Sequence, residues 1–125
     1  MGKRYLIDSN ILIEFSGKLL PEKSLGLVSS IIDDEFNISV INKIEVLGYP
    51  SVDNKLRNFI NSANLINLDT NITERTIELR INHSIKIPDA IIAATALKHK
   101  LILLTRNTAD FKQIPKLKLE NPWEW

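Results

Sequence analysis

The chain has 125 residues, 44% of them hydrophobic and 25% charged, with no cysteine and a formal net charge of +1. Such a composition fits one globular domain, spanning residues 1–125, with a core of its own; it excludes a disulfide scaffold and a thiolate metal centre, and leaves nucleic-acid binding open, since an acidic centre can offset a basic rim. No apolar run approaches the roughly 20 residues of a membrane span, and the start of the chain lacks the apolar stretch and small-residue cleavage site of a signal peptide, so a cytoplasmic protein with no membrane partner is expected.

In chain order, residues 4–7 read as a short buried strand, because the apolar run is continuous. Residues 10–15 follow as a helix with Ile11, Leu12 and Phe15 on one face, broken by Gly17 and Pro21. Ser24 is expected to cap a helix over 25–33. Residues 36–39 form a second strand, and residues 40–48 a helix that presents Glu45 and stops at Gly48. After a turn at Tyr49-Pro50-Ser51, the stripe Val52, Leu56, Phe59 and Ile60 predicts another helix. Residues 65–68 are a third strand, with Thr70 or Asn71 capping the helix that follows it. Pro88 suits the first turn of a long helix over 89–99, where its missing N–H costs nothing. Residues 101–104 are a fourth strand, 109–113 one helical turn, and 117–120 an edge strand. The alternation implies an α/β fold: a mainly parallel central sheet of four to five strands flanked by helices.

Acidic and amide residues recur where these elements end or begin. Asp8 follows the first strand, Glu45 lies in an apolar helix, Asp89 opens the most apolar helix, and Asn107 and Asp110 follow the fourth strand. Parallel α/β sheets bind ligands outside the carboxyl ends of their strands. Carboxylates gathered there repel one another unless a cation binds, which points to a divalent-metal site. Hard oxygen donors of this kind suit Mg²⁺ or Mn²⁺. Each acid also has a local reading. Asp8 serves as a helix cap unless Asn10 takes that role, and Asp89 complements a helix dipole. Ser9 and Asn10 are expected to hydrogen-bond Asp8 and fix its rotamer. His83 and His99 sit at helix ends and are poor candidates for a general base.

Four segments in order carry a resemblance to a known family. They are Tyr5-Leu6-Ile7-Asp8-Ser9-Asn10-Ile11-Leu12-Ile13-Glu14, Ile38-Ser39-Val40-Ile41-Asn42-Lys43-Ile44-Glu45-Val46-Leu47-Gly48, Ile87-Pro88-Asp89-Ala90-Ile91-Ile92-Ala93-Ala94-Thr95-Ala96 and Leu101-Ile102-Leu103-Leu104-Thr105-Arg106-Asn107-Thr108-Ala109-Asp110-Phe111. Over nearly its whole length the chain resembles PIN-domain proteins of the VapC-like toxin kind. The resemblance implies a metal-dependent endoribonuclease, the toxin of a type II toxin–antitoxin pair, whose products carry a 5′-phosphate and a 3′-hydroxyl. The family's first three acids map onto Asp8, Glu45 and Asp89. Its fourth acidic position maps onto Asn107, where this chain departs from the pattern, and Asp110 is expected to supply the missing charge. Thr105 matches a hydroxyl position beside the site.

The catalytic set implied is therefore Asp8, Glu45, Asp89 and Asp110, with Asn107 joining them around the metal. Arg106 and Lys112, with Lys116 and Lys118, are expected to hold RNA phosphates. A small antitoxin would occupy a groove lined by helices 10–15 and 25–33, and homodimerisation is expected by resemblance. Trp123 is expected to pack the C-terminus onto the sheet. The competing reading is a PIN fold with impaired chemistry that binds RNA or protein without cleaving it, favoured by Asn107. A phosphotransfer domain is excluded because its acidic pair is missing at the first strand.

Overall fold

Five strands and seven helices alternate along residues 2–125, which the computed structural model describes. They run β1 (Tyr5–Ile7), α1 (Ser9–Ser16), α2 (Glu22–Asp34), β2 (Asn37–Ser39), α3 (Val40–Leu47), α4 (Asn54–Asn61), β3 (Asn64–Ile66), α5 (Thr70–Asn82), α6 (Ile87–His99), β4 (Ile102–Leu104), α7 (Thr108–Phe111) and β5 (Leu119–Glu120). A 3₁₀ turn at Pro122–Glu124 closes the chain. All pairings are parallel, with Ile7 opposite Leu104 and Leu104 opposite Glu120.

The strands are as many, and run as parallel, as the pattern predicts, but they form two hydrogen-bonded sets, β1-β4-β5 and β2-β3. β2 lies beside β1, and a side chain spans the border between the sets. Buried Asn37 donates from Nδ2 to the Tyr5 carbonyl at 3.0 Å, and its Oδ1 accepts from Asn64 Nδ2 at 2.9 Å. An amide side chain thus satisfies a backbone carbonyl that an inter-strand ladder would otherwise engage.

Side-chain alternation along β1 and β4 divides the core. Tyr5, Ile7, Ile102 and Leu104 face one side, with Ile11 and Leu12 of α1, Val28 of α2 and Ile60 of α4. Leu6 and Leu103 face the other, with Ile92, Ala93 and Ala96 of α6 and Phe111 of α7. Helix α6 is buried continuously from Ala90 to Ala96. Its alanines let it lie close to the sheet on one side, while Ile91 and Ala94 meet Ile72 of α5 on another. It begins at Ile87, two residues earlier than the pattern predicts, with Pro88 in its first turn.

Two caps differ from expectation. Ser24 lies inside α2, which opens after Pro21, and its buried hydroxyl donates to the Pro122 carbonyl, fastening the C-terminal turn to α2. Asp69, rather than Thr70 or Asn71, caps α5 through a 2.8 Å bond from Ile72 N–H to Oδ1. The predicted α4 starts at Asn54 because Asp53 caps it. Gly48 does close α3: a Cβ there would lie 2.6 Å from the Ile44 carbonyl oxygen. Among the described residues no helix is long and apolar enough to cross a membrane.

Asn37→Ala strips the Tyr5 carbonyl and the Asn64 amide of their partner. Urea denaturation should show a loss of about 1–3 kcal/mol; an unchanged midpoint would mean that the border between the strand sets is held by packing alone.

Candidate active site

β1 and β4 end side by side, and the residues that follow them meet. Asp8 continues from β1 with its backbone N–H on the Leu104 carbonyl at 2.9 Å. Its side chain is 7% exposed and is surrounded by donors. Oδ1 accepts from Ser9 N–H at 2.8 Å and Asn42 Nδ2 at 3.2 Å, and Oδ2 accepts from Thr105 Oγ1 at 2.8 Å. The cap reading of Asp8 holds, since its side chain accepts the Ser9 N–H at the start of α1. Asn10 takes neither expected role: its Oδ1 accepts the Arg106 N–H at 3.2 Å, tying α1 to the segment after β4. A carboxylate has about four acceptor positions, so three bonds orient Asp8 and leave little beyond a single further contact.

The residue that sequence reasoning missed is Asn42. It is fully buried in the first turn of α3. Oδ1 accepts the Ser39 N–H at 3.0 Å while Nδ2 donates to Asp8 and, at 3.0 Å, to Ser9 Oγ. Ser39 answers by accepting from the Asn42 N–H, which completes a capping box. The Ser39-x-x-Asn42 spacing was the available signal for the box; nothing in it marks the bond to Asp8. Ser9 passes the chain onward, donating from Oγ to Glu45 Oε1 at 2.7 Å. Glu45 is exposed and reaches the site from α3 through this contact.

Asp89 is half-buried at the start of α6. Burial raises its pKa above the usual carboxylate range, and the charges of Asp8, Asp110 and Glu45 raise it further, with Lys86 opposing them. Burial likewise pushes Asp8 up, against the hydrogen bonds of Thr105 and Ser9, with the Glu45 charge adding to the rise. The four acids that the sequence picked out thus share one electrostatic field. Asp110 is exposed on α7 and lines, with Asp89, a polar cleft of about 450 Å³.

Asn107 is exposed, and its N–H donates to Thr105 Oγ1 at 3.1 Å. Thr105 therefore links the segment bearing Asn107 to Asp8. Among the described residues no three carboxylates or imidazoles stand close enough together to enclose an ion. Mg²⁺ usually keeps several waters and takes only one or two carboxylates, so an all-oxygen set of mutually repelling acids still fits it.

Arg106 sits where its charge is already engaged. Nη1 donates to Glu14 Oε2 at 2.8 Å, and the guanidinium lies 4.1 Å from the centre of the Trp123 ring. Trp123 Nε1 donates to the other Glu14 oxygen at 2.9 Å. Trp123 and Trp125 both pack against the first core. Lys112, Lys116 and Lys118 are exposed.

A family model, PIN domain, matches residues 5–117. Among solved structures, a toxin–antitoxin complex from Klebsiella pneumoniae is 34% identical, covering 94% of this chain and 97% of that one, with a TM-score of 0.73. VapBC2 from Rickettsia felis, bound to a DNA fragment from its promoter, is 26% identical over 94% of this chain and 97% of that one, with a TM-score of 0.78. VapBC-1 from nontypeable Haemophilus influenzae, at 22% identity over 97% of this chain and 98% of that one, shares the fold with a TM-score of 0.75. No curated protein matches the chain. The chain belongs to the PIN-domain family. Within that family it is VapC-like.

The raised pKa of Asp89 gives a signed prediction for stability without metal. The native state holds the proton more tightly than the unfolded chain, so stability falls as pH rises from the ordinary value of 3.8 through the raised one. In EDTA, Asp89→Asn should be more stable than the parent at neutral pH, and the advantage should vanish near about pH 3. Urea midpoints at the two pH values check this; an equal or lower midpoint for the variant at neutral pH would show that the acids do not strain the fold.

Proposed function

We propose that the protein is a Mg²⁺- or Mn²⁺-dependent endoribonuclease and the toxin of a toxin–antitoxin pair. The observation that carries this reading is the shared field of Asp8, Glu45, Asp89 and Asp110 at the carboxyl edge of β1 and β4. Burial, with like charge adding to it, raises the pKa of Asp8 and of Asp89, a strain that a bound cation would relieve. Asp8, oriented by Ser9, Asn42 and Thr105, is the fixed member of the set. Asp89, at the start of α6, lies close enough for the Asp8 charge to raise its pKa, and Glu45 and Asp110 complete the acidic wall, directly or through water. Asn107 offers a carbonyl oxygen at the position where the family pattern has an acid. A divalent cation held by these oxygens would supply a water of lowered pKa and positive charge beside the phosphodiester oxygens. The side chains then act by placing donors and excluding competing geometries, and none is needed as the nucleophile.

RNA as substrate sets the site of action in the cytoplasm. The antitoxin is proposed for the groove of about 510 Å³ between α1, α2 and α4, whose floor includes Phe15, Leu25 and Phe59 and whose rim carries Lys18, Glu22 and Lys55. An amphipathic segment suits such a surface, and the solved relatives from Klebsiella and Rickettsia are toxin–antitoxin assemblies. A homodimer is also proposed, as the resemblance to the family implies. The alternative, a PIN fold that binds RNA without cleaving it, draws on Asn107 alone.

The test is cleavage of single-stranded RNA with and without Mg²⁺. Asp8→Asn should lower the rate by about 10²-fold or more, and EDTA should abolish it. Asn107→Asp should tighten Mg²⁺ dependence, shifting half-activation to lower metal concentration. RNA binding with no metal-dependent cleavage by the parent protein would favour the binding-module reading instead.

A further inference from the structure

Two cations line the acidic cleft without an ion-pair partner among the described residues. Arg80 lies in the last turn of α5, and Lys86 immediately precedes α6. Both line the cleft that contains Asp89 and Asp110. Both are exposed, and neither belongs to an ion pair among the described residues. Arg106 is the contrast: its charge is held by Glu14 and its face by Trp123.

The geometry around Arg80 goes beyond an ordinary solvated arginine. Its side chain also borders an apolar hollow with Ile77, Ile87 and Ile91. An apolar stem lying along such a surface limits the directions open to the charged head. Gln113 also lines the cleft, and its Nε2 donates to the Ser84 carbonyl at 3.2 Å. The result is a polar trough with carboxylates from α6 and α7 and cations from the α5–α6 junction. Lys86 lines the same cleft as Asp89 and Asp110, so the cationic and acidic parts are neighbours rather than separate patches.

A phosphodiester strand needs both kinds of surface. The scissile phosphate goes where a cation bridges it to carboxylates, and the flanking phosphates need positive charge, because bare acids repel them. Guanidinium forks bind phosphate oxygens in pairs, and an ammonium serves as a point charge. We propose that Arg80 and Lys86 form a subsite for a phosphate flanking the scissile bond, so that the RNA backbone enters the site along the α5–α6 side. This inference rests on the nuclease reading above.

The experiment compares Arg80→Ala/Lys86→Ala with the parent protein on a single-stranded RNA. Cleavage is followed in Mg²⁺, and binding is followed by fluorescence anisotropy across a salt series in an Asp8→Asn background. Loss of two phosphate contacts should raise KM by about tenfold with kcat little changed, and should flatten the slope of log affinity against log salt by about 1.4. Arg80→Lys/Lys86→Arg should retain the parent slope, and Lys23→Ala, on α2, should leave both readouts unchanged. A double-alanine variant with the parent's KM and salt slope overturns the subsite and leaves the nuclease reading standing. A parent that binds RNA but does not cleave it, with the slope still flattened in the variant, overturns the nuclease reading and keeps the backbone contact. A flattened slope in Lys23→Ala as large as in the double variant overturns the subsite, because any lysine would then serve.

Discussion

An ionised carboxylate taken out of water costs several kcal/mol unless donors surround it, and Asp8 is nearly buried at the end of β1. Its position therefore depends on four other elements of chain. Ser9 donates from the first residue of α1, Asn42 from α3, and Thr105 from the segment after β4, while the Leu104 carbonyl takes the Asp8 N–H. Removing any of the three donors leaves the buried carboxylate short of a partner, so the acid and its surroundings depend on one another. The parallel pairing of β1 with β4 is what makes this arrangement possible, because it ends two distant stretches of sequence at the same edge.

The same pairing explains why the acids destabilise one another. Asp89 and Asp110 arrive from helices on the second face of the sheet, and Glu45 arrives from α3 through Ser9. Burial and like charge push protons onto Asp8 and Asp89 together. A fold selected for stability alone would place a neutral group at one of these positions. Retention of four acids in one field is the feature that a metal-dependent function accounts for.

Much of this was legible before any coordinates. The apolar runs Tyr5-Leu6-Ile7 and Leu101-Ile102-Leu103-Leu104 could be read as buried strands because both faces of the sheet are covered. Asp8, Glu45, Asp89 and Asp110 stood out because charged residues are rare beside such runs. Less legible were the residues whose partners lie far away in sequence. Asn37 bonds a carbonyl 32 positions earlier, Asn42 reaches Asp8 34 positions earlier, and Ser24 reaches Pro122 98 positions later. Periodicity describes which face a residue occupies, and it says nothing of which distant atom a buried amide will meet. Ser24 was mistaken for a cap because serine suits caps and buried hydroxyl contacts equally well by composition. Asp69 was passed over for Thr70 and Asn71 because adjacent residues of similar capping strength differ only in where the chain leaves its extended conformation.

Arg106 follows Thr105 directly, and α1 brings Glu14 to it while the C-terminal turn brings Trp123. Glu14 accepts from both neighbours, so the cation, the indole and the acid form one structural unit that joins α1, the segment after β4 and the C-terminus. The net charge of +1 conceals this division of labour, since a charge consumed by an internal pair contributes little to the field a polyanion meets. The cations proposed to meet such a ligand are ones without ion-pair partners that line the cleft with the carboxylates, Arg80 at the end of α5 and Lys86 before α6.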